Sequence, residues 1–384
     1  MKVLIARASG KTMLAGHATR EGTTRFAEWA VGKKGVDSRH FREFRGLRLS
    51  SLGIGTYLGG MDAETDRLVE EAVSLSVSSG AVNVIDTAIN YRLQRAERSV
   101  GRALARLAGE GGIAGGREAL LVCTKNGYLS SDGELSTDFW EYIQEEFVKP
   151  GKLRREEIAG EAHSMAIPFL KEQLGRSLAN LGLDTVDVLY LHNAAESWLP
   201  EIGYGSFIEK LREVFALYEE ERRKGRVLYY GMASWSCFRV KEGEAERVNL
   251  EDVVEVARGA GGEEHGFRFL QLPFNVAMNE ALTLRNQRIA GELVTTFEAA
   301  RRLGVGVFTS VPLSQGRLLN HTRVPALDGS KALSLIQFAR SAHPAVVAPL
   351  IGQKSPEHAK ENLRIAMTPP LDESGFKGTY RGLI

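Results

Sequence analysis

The chain has 384 residues, which allows two ordinary domains or one large α/β barrel. Its composition, 43% hydrophobic and 25% charged, is that of a globular protein and excludes disordered and fibrous chains. Lys and Arg number 49 and Asp and Glu number 48, so the formal net charge of +1 gives no attraction to nucleic acid or to an anionic membrane.

Cysteine content and hydropathy bear on the compartment. Cys123 and Cys237 are the two cysteines of the sequence, too few for a disulfide framework. No stretch approaches the ~20 consecutive apolar residues of a membrane span. We therefore expect a cytoplasmic protein without a membrane partner.

The first 39 residues are predicted to be an N-terminal extension, because they contain too few apolar residues for a core of their own. A short helix is predicted over Thr24–Val31. Between His40 and Ser50, apolar and polar residues alternate around Gly46, which predicts a β-hairpin. Residues 40–384 are assigned to one barrel domain.

From Ser50 onward, short apolar runs alternate with segments of helical period. The predicted strands are Leu52–Leu58, Asn83–Ala88, Ala119–Lys125, Val186–His192, Val227–Ser234, Phe267–Asn275, Gly304–Val311 and Val346–Gly352. The predicted helices are Asp62–Ser79, Arg95–Leu107, Pro168–Leu181, Glu209–Lys224, Leu250–Ala257, Glu292–Leu303, Lys331–Ala342 and Pro356–Met367. Eight strand–helix units predict an α/β fold, a closed (β/α)8 TIM barrel with parallel strands. A doubly wound sheet is the alternative.

Two segments interrupt this alternation, and both follow the carboxyl end of a strand. The first is a long insertion after the third strand, residues 126–167, which is rich in aromatic residues. Long ordered loops are usually functional, so we expect it to fold over the barrel mouth and form one wall of a substrate pocket. A surface flap or a dimer contact is the alternative. The second segment is Arg317–Ser330, at the same mouth of the barrel.

One glycine-rich run imitates a nucleotide motif. Gly53-Ile-Gly55-Thr-Tyr-Leu-Gly59 is one residue too long for the dinucleotide fingerprint, and no helix begins directly at it. These glycines are better explained by a close approach of backbone and ligand, or by a sharp turn at the strand end.

Four polar residues lie at or near the ends of neighbouring strands. Asp86 ends the second strand, Lys125 the third and His192 the fourth, while Tyr91 follows five positions after Asp86. Adjacent parallel strand ends are about 5 Å apart, so these side chains can converge. An ammonium lowers the pKa of a phenol, a carboxylate holds the ammonium, and an imidazole orients a carbonyl. Together they predict acid/base chemistry at C=O or CH–OH.

Each of the four also has an ordinary structural explanation. Asp86 could cap a helix, Lys125 could be a solvated loop residue, His192 could be a core histidine, and Tyr91 could pack under the next helix. Their occurrence together on neighbouring strand ends favours the functional interpretation.

From about His40 to Met367, the chain resembles the aldo-keto reductases. The segments that carry this resemblance are Asp86-Thr-Ala-Ile-Asn-Tyr91 with Arg95-Ala-Glu-Arg-Ser-Val-Gly101, Cys123-Thr-Lys125, Leu183-Asp-Thr-Val-Asp187-Val-Leu-Tyr-Leu-His192, Gly231-Met-Ala-Ser-Trp235, Gln271-Leu-Pro-Phe-Asn275, Pro312-Leu-Ser-Gln-Gly316, and Gly352 with Glu361-Asn362. The resemblance implies a (β/α)8 barrel closed at its base by an N-terminal hairpin.

The resemblance also implies the site residues. Tyr91 would be the general acid for carbonyl reduction, with Lys125 lowering its pKa, Asp86 pairing with Lys125, and His192 orienting the carbonyl. No metal is required, because the tyrosine supplies the proton. A nicotinamide dinucleotide would contact Gly55, Thr56, Ser234, Gln271, Ser310, Pro312, Leu313, Gln315, Gly316, Gly352, Lys354, His358, Glu361 and Asn362. A small carbonyl or alcohol substrate would contact Tyr57, Tyr128, Trp140, Asn193 and Trp235.

Three positions depart from the family pattern. Ala233-Ser234 replaces the usual Ser-Asn that grips the nicotinamide carboxamide. Ser310 replaces an aromatic residue that stacks on the nicotinamide, a loss of roughly 1 kcal/mol that Trp235 could offset. His358 stands where Arg or Gln often lies near the adenosine phosphate, and Lys354 can meet a 2′-phosphate. NADP(H) is therefore the expected cofactor, with NAD(H) as the alternative.

Three functions compete at this point. The first is an NADP-dependent oxidoreductase acting on an aldehyde, ketone or sugar-like carbonyl. The second is a non-catalytic, dinucleotide-binding regulatory subunit of the same fold, which the altered cofactor contacts favour and the intact tetrad opposes. The third is a lyase or isomerase barrel, which would need a phosphate or metal site that no motif in the sequence supplies.

Overall fold

The base of the barrel is built first along the chain. The computed structural model describes residues 5–8, 11–160, 162–321 and 323–384. The opening elements are β1 (Ile5–Ala8), β2 (Lys11–Leu14), α1 (Arg20–Lys34), β3 (Phe41–Phe44) and β4 (Leu47–Ser50). The predicted hairpin forms, with Phe41 paired to Ser50 and Phe44 to Leu47. Residues 1–4 and 9–10 of the proposed extension lie outside the described residues.

Eight parallel strands close into a barrel, which confirms the predicted fold class. In barrel order they are β5 (Gly53–Gly55), β6 (Val84–Asp86), β7 (Leu121–Asn126), β8 (Val186–His192), β9 (Val227–Ala233), β10 (Phe267–Pro273), β13 (Gly306–Ser310) and β14 (Val346–Gly352). β14 pairs with β5, Leu350 opposite Gly53, and so closes the ring. The strands read as continuous apolar runs because both of their faces are buried.

Helices cover the outside of the barrel, between its strands and after the last of them. They are α2 (Ala63–Ser78), α3 (Arg95–Gly109), α4 (Phe139–Ile143), α5 (Ile167–Leu181), α6 (Ala194–Arg223), α7 (Leu250–Gly261), α8 (Glu280–Thr283), α9 (Thr296–Arg302), α10 (Lys331–Ser341), α11 (Pro356–Leu363) and α12 (Glu373–Thr379). Side-chain caps fix several of their starts: Asp62 accepts from the Thr65 backbone N–H, and Ser330 from that of Leu333. In the part of the chain described, none of these helices is long and apolar enough to cross a bilayer.

Two predicted helices differ from those observed. Residues 292–295 of the helix predicted over Glu292–Leu303 instead form β12 (Glu292–Thr295), which pairs with β11 (Arg285–Ile289) in a hairpin. The helical spacing of apolar residues extends upstream of the point where the helix begins. The helix itself begins after Thr295, whose side chain caps it. The helix predicted over Glu209–Lys224 is the second half of α6, whose first half begins at Ala194 and ends at a non-helical Gly203.

The insertion packs on the outside of the barrel over α3 and α5. Phe147 lies 5.1 Å from Phe169 of α5 between ring centroids, and the hydroxyl of Tyr142 accepts from the Arg176 guanidinium at 2.6 Å. Asp132 forms an ion pair with Arg98 of α3 at 2.6 Å. The expectation that the insertion folds over the barrel mouth is therefore wrong for Tyr142 and Phe147, which pack against the helical layer instead. Glu161 of this segment lies outside the described residues, as does Thr322 in the second interrupting segment.

Candidate active site

The barrel brings the four candidate catalytic residues together at the carboxyl ends of β6, β7 and β8. Asp86 and His192 are the last residues of their strands, and Lys125 is the penultimate residue of its strand. Tyr91 lies in the loop that follows Asp86. Because these strands are hydrogen-bonded neighbours in one closed sheet, their ends meet at the same mouth of the barrel.

Lys125 and Asp86 form a buried ion pair beneath the mouth. The Lys125 ammonium donates to Asp86 Oδ2 at 2.7 Å and to the carbonyl oxygen of Thr87 at 2.8 Å. Gln271, from the opposite side of the barrel, donates its amide N–H to the other Asp86 oxygen at 2.8 Å. Lys125 is completely buried. Burial alone would lower the pKa of Lys125, but the carboxylate of Asp86 reverses this and raises it, so the ammonium is retained.

Tyr91 lies directly over this ion pair. The Lys125 ammonium is 4.6 Å from the centroid of the phenol ring. Removal from water raises the pKa of Tyr91 above its ordinary value, and the opposing effect of Lys125 is smaller. The expected net lowering of this pKa is therefore wrong for the protein alone, because desolvation of the phenolate outweighs the single nearby cation. The phenol is protonated at neutral pH.

His192 is held as a neutral imidazole. Burial lowers the pKa of His192 well below its usual range, and Lys125 and His163 lower it further. Behind it, Trp198 donates to His163 Nδ1 at 3.0 Å, which leaves His163 Nε2 to donate to the backbone carbonyl of His192 at 2.8 Å. Gly127 makes room for this second histidine, since a Cβ there would lie 2.4 Å from His163 Nε2.

A cavity of about 960 Å³ opens above these residues, at the upper end of the size usual for ligand sites. Asp86, Tyr91 and His192 line it, with Lys125 beneath its floor. Every residue assigned to cofactor binding also lines it: Gly55, Thr56, Ser234, Gln271, Ser310, Pro312, Leu313, Gln315, Gly316, Gly352, Lys354, His358, Glu361 and Asn362.

Aromatic side chains surround Tyr91 at one end of the cavity. Tyr57 lies 5.0 Å from Tyr91 between ring centroids, and Tyr128 lies 5.1 Å from His192. The Asn193 amide donates to the hydroxyl of Tyr128 at 3.3 Å. These side chains line the cavity, as does Trp235.

Trp140 does not reach the cavity, which corrects its assignment to substrate binding. It lies on α4 with 52% of its surface exposed, because the insertion carries it out over the helical layer. Among the described residues of the insertion, Tyr128 is the one that lines the cavity.

Two polar side chains that suit a ligand lie beside the catalytic residues. Gln271 donates to Asp86 and, among the described residues, its side-chain carbonyl oxygen has no hydrogen-bond partner, while Ser234, next to the residue paired with His192, donates its hydroxyl to Glu196 at 2.7 Å. The part of the cavity beside α11 suits an anionic ligand. Lys354 and His358 lie at the start of α11, whose backbone N–H groups favour negative charge.

Several lining residues and one supporting residue had not been assigned from the sequence. The additional lining residues are Leu58, Asn90, Ala233, Val311, Leu319, Gly329, Ser330, Lys331, Ala332, Leu350, Ile351, Gln353 and Ser355. Most adjoin assigned positions, and Ser330 ends the second interrupting segment, so their place in the chain was a usable signal. No local pattern marked His163, which acts through the backbone of His192.

Comparison with solved structures confirms the fold. An aldo-keto reductase from Bacillus halodurans, described as a holo form, superposes with a TM-score of 0.58 at 18% identity, covering 89% of this chain and 95% of that one. An aldo/keto reductase from Klebsiella pneumoniae, in complex with NADP and acetate, superposes with a TM-score of 0.56 at 18% identity, covering 89% and 94%.

A curated relative and a family model complete the comparison. The NADH-specific methylglyoxal reductase of Escherichia coli K12 is 26% identical over 200 residues, so this chain spans about half the length of that relative, 52%, and the match covers 51% of this chain. The model of the aldo/keto reductase family matches residues 51–332. That match exceeds half of the sequence, and the chain therefore belongs to the aldo/keto reductase family.

Proposed function

We propose that this protein is an NADP(H)-dependent oxidoreductase that reduces an aldehyde, ketone or sugar-like carbonyl to the alcohol, or catalyses the reverse, with Tyr91 as general acid/base. The observation that carries this proposal is the Lys125–Asp86 ion pair buried directly beneath Tyr91 and beside His192. Membership of the family supports the reaction class.

The residues around the phenol divide the acid/base work. In reduction, Tyr91 donates its hydroxyl proton to the carbonyl oxygen, and the Lys125 ammonium stabilises the phenolate that results. Asp86 keeps that ammonium charged and in place. His192, neutral at physiological pH, is suited to hold the carbonyl oxygen by a hydrogen bond without competing for the proton. Among the described residues its Nδ1 is buried and has no hydrogen-bond partner.

The cavity lining fits a nicotinamide dinucleotide, which when bound supplies the hydride. Ser234 and Gln271 would hold its carboxamide, and the amino-terminal end of α11 would hold the adenosine phosphate. Lys354 and His358 favour the 2′-phosphate of NADP(H). The relatives differ on this point, since one solved structure contains NADP and the Escherichia coli relative is NADH-specific.

Turnover with a panel of carbonyl compounds tests the proposal. We expect the wild type to oxidise NADPH steadily, and Tyr91→Phe to lose nearly all turnover, because general acid catalysis typically contributes 10²–10⁴-fold. NADPH binding, followed by fluorescence, should change little, since the ring of the tyrosine is retained. A Tyr91→Phe rate above about a tenth of the wild-type rate would contradict the assignment. Tight NADPH binding without turnover in the wild type would favour a regulatory subunit instead.

A further inference from the structure

The three residues that follow Tyr91 have left-handed backbone conformations. Arg92, Leu93 and Gln94 have φ angles of 49°, 51° and 73°. None of them is glycine, the residue that adopts positive φ without steric penalty, so each position is unfavourable for the residue that occupies it. Contacts elsewhere must offset this strain, and the loop that carries Tyr91 depends on those contacts.

The side chain of Gln94 is one such contact. It is 3% exposed, and its amide N–H groups donate to the carbonyl of Ser131 at 3.1 Å and to the hydroxyl of Tyr142 at 3.4 Å. Its carbonyl oxygen accepts from Asn180 of α5 at 3.2 Å. Ser131 and Tyr142 belong to the insertion, so a residue three positions after Tyr91 is anchored to the insertion by the nitrogen of its amide and to α5 by the oxygen.

The same stretch of the insertion also contacts the backbone of the loop. The backbone N–H of Gly133 donates to the carbonyl of Leu93 at 2.9 Å, and the Ser130 hydroxyl donates to the carbonyl of Ile89 at 3.3 Å. Arg95 returns a hydrogen bond to the carbonyl of Gly133 at 3.0 Å. Residues 130–133 thus contact the loop on both sides of Tyr91; we refer to them as the clamp segment.

Arg92 anchors the loop from the other direction. Its guanidinium forms an ion pair with Asp66 of α2 at 2.6 Å, and its side chain is 2% exposed. The loop is therefore held between α2 and the insertion, and Tyr91 is the residue of that loop that stands over the Lys125 ammonium.

We propose that the clamp segment acts through Gln94 to hold the loop of Tyr91 over the Lys125–Asp86 pair, which makes Gln94 a positioning residue for the reaction. The role of the insertion beyond Tyr128 is then to fix the proton donor. The expected effect on turnover rests on the proposed function, whereas the expected effect on the mobility of the loop does not.

The variant Gln94→Gly separates the effect of the contacts with the clamp segment from the effect of backbone strain. Glycine tolerates the positive φ, so the variant loses the side-chain hydrogen bonds without adding backbone strain. We expect amide hydrogen exchange over residues 88–95 to rise about tenfold or more. We expect kcat to fall by about tenfold or more because the phenol is misplaced. The Kd for NADPH should stay unchanged, because the cofactor lining is untouched.

A pH profile distinguishes positioning from general destabilisation. The titratable groups that face Tyr91 are Asp86, Lys125, Tyr57 and His192, and none of them is altered in the Gln94 variant. A looser loop admits water to the phenol, so the alkaline decline of the reduction rate should move to lower pH. Lys152→Gln is the matched control, because it removes an ion pair between the insertion and Glu172 at 3.0 Å without touching the loop. The control should leave exchange, kcat and the pH profile unchanged.

Tyr142→Phe provides a second test should Gln94→Gly fold poorly. It removes the hydroxyl that accepts from Gln94 and should raise exchange over 88–95 by a smaller factor. If amide hydrogen exchange over residues 88–95 is that of the wild type in both variants, the proposed role of the clamp segment is wrong. A wild-type kcat in a folded Gln94→Gly enzyme would contradict it as well. A wild type without turnover overturns the proposed function alone, since the exchange measurement needs no catalysis.

Discussion

Lys125 and Asp86 form an ion pair that is buried, so water cannot solvate either charge when its partner is removed. Lys125→Met leaves the Asp86 carboxylate buried opposite an apolar side chain, and breaking a buried pair in this way typically costs about 3–5 kcal/mol. We expect a loss of that size in the free energy of unfolding, measured by chemical denaturation. Adding Asp86→Asn removes the stranded charge and should restore most of it, while turnover stays low in both variants. Equal stability of wild type and Lys125→Met would contradict a charged pair.

The raised pKa of Tyr91 sets the expected pH dependence. The proton-donating form predominates below that pKa, which lies above the ordinary value of about 10. Carbonyl reduction should therefore be nearly constant through neutral pH and decline only in strongly alkaline solution. Alcohol oxidation needs the phenolate and should rise with pH over the same range. Initial rates in both directions from pH 6 to pH 11 check this. A decline of reduction near pH 7 would indicate that another group supplies the proton.

At the scale of single elements, α11 is the predicted determinant of cofactor choice. Lys354 and His358 lie at its amino-terminal end, where a 2′-phosphate would meet both a cation and the helix dipole. Lys354→Ala should weaken NADPH binding by about tenfold and leave NADH binding unchanged, the loss corresponding to roughly 1.4 kcal/mol. Fluorescence titration at two salt concentrations measures this. Lys360→Ala, on the same helix but absent from the cavity lining, is the matched control.

The insertion shows how an element's surroundings decide its role. Its aromatic side chains were expected at the barrel mouth because the segment leaves the strand that carries Lys125. In the folded chain, Tyr142 and Phe147 pack against α5, whereas Tyr128, at the start of the insertion, lines the cavity. Apolar area drives such a segment to the nearest apolar surface, and here that surface is the helical layer.

At the scale of the whole molecule, the N-terminal extension is continuous with the barrel core. Phe26 of α1 is fully buried and lies 6.1 Å from Phe41 of the base hairpin between ring centroids. The backbone N–H of Ala18 donates to the buried Asp187 of β8 at 2.6 Å. We therefore expect Phe26→Ala to lower the free energy of unfolding by about 3–5 kcal/mol, as for other buried aromatic truncations.

Thermal or chemical unfolding of the Phe26 variant measures this. Lys33→Ala, at an exposed position of the same helix, should change stability little and serves as the control. An unchanged stability in Phe26→Ala would show that the extension is detachable from the barrel. Turnover per folded molecule should be the same in both variants, because α1 lies at the base and the cavity lies at the mouth.

Local patterns in the sequence predict the eight strands, the hairpin that precedes them, and the placement of Asp86, Tyr91, Lys125 and His192 at one mouth. These follow from local periodicity and from the rule that parallel strands end together, so they need no knowledge of distant partners. The family resemblance added cofactor-site residues that all line the cavity.

Contacts between residues far apart in the chain became visible only in the folded structure. Gln271 reaches Asp86 across 185 positions, and His163 supports His192 from within the insertion. Burial of Tyr91 set the direction of its pKa shift against the neighbouring cation. Trp140 lies outside the cavity because the insertion packs on the helical layer. A local pattern reports how strongly a residue prefers burial, but which side chains and how much water surround it are fixed only when the whole chain has packed.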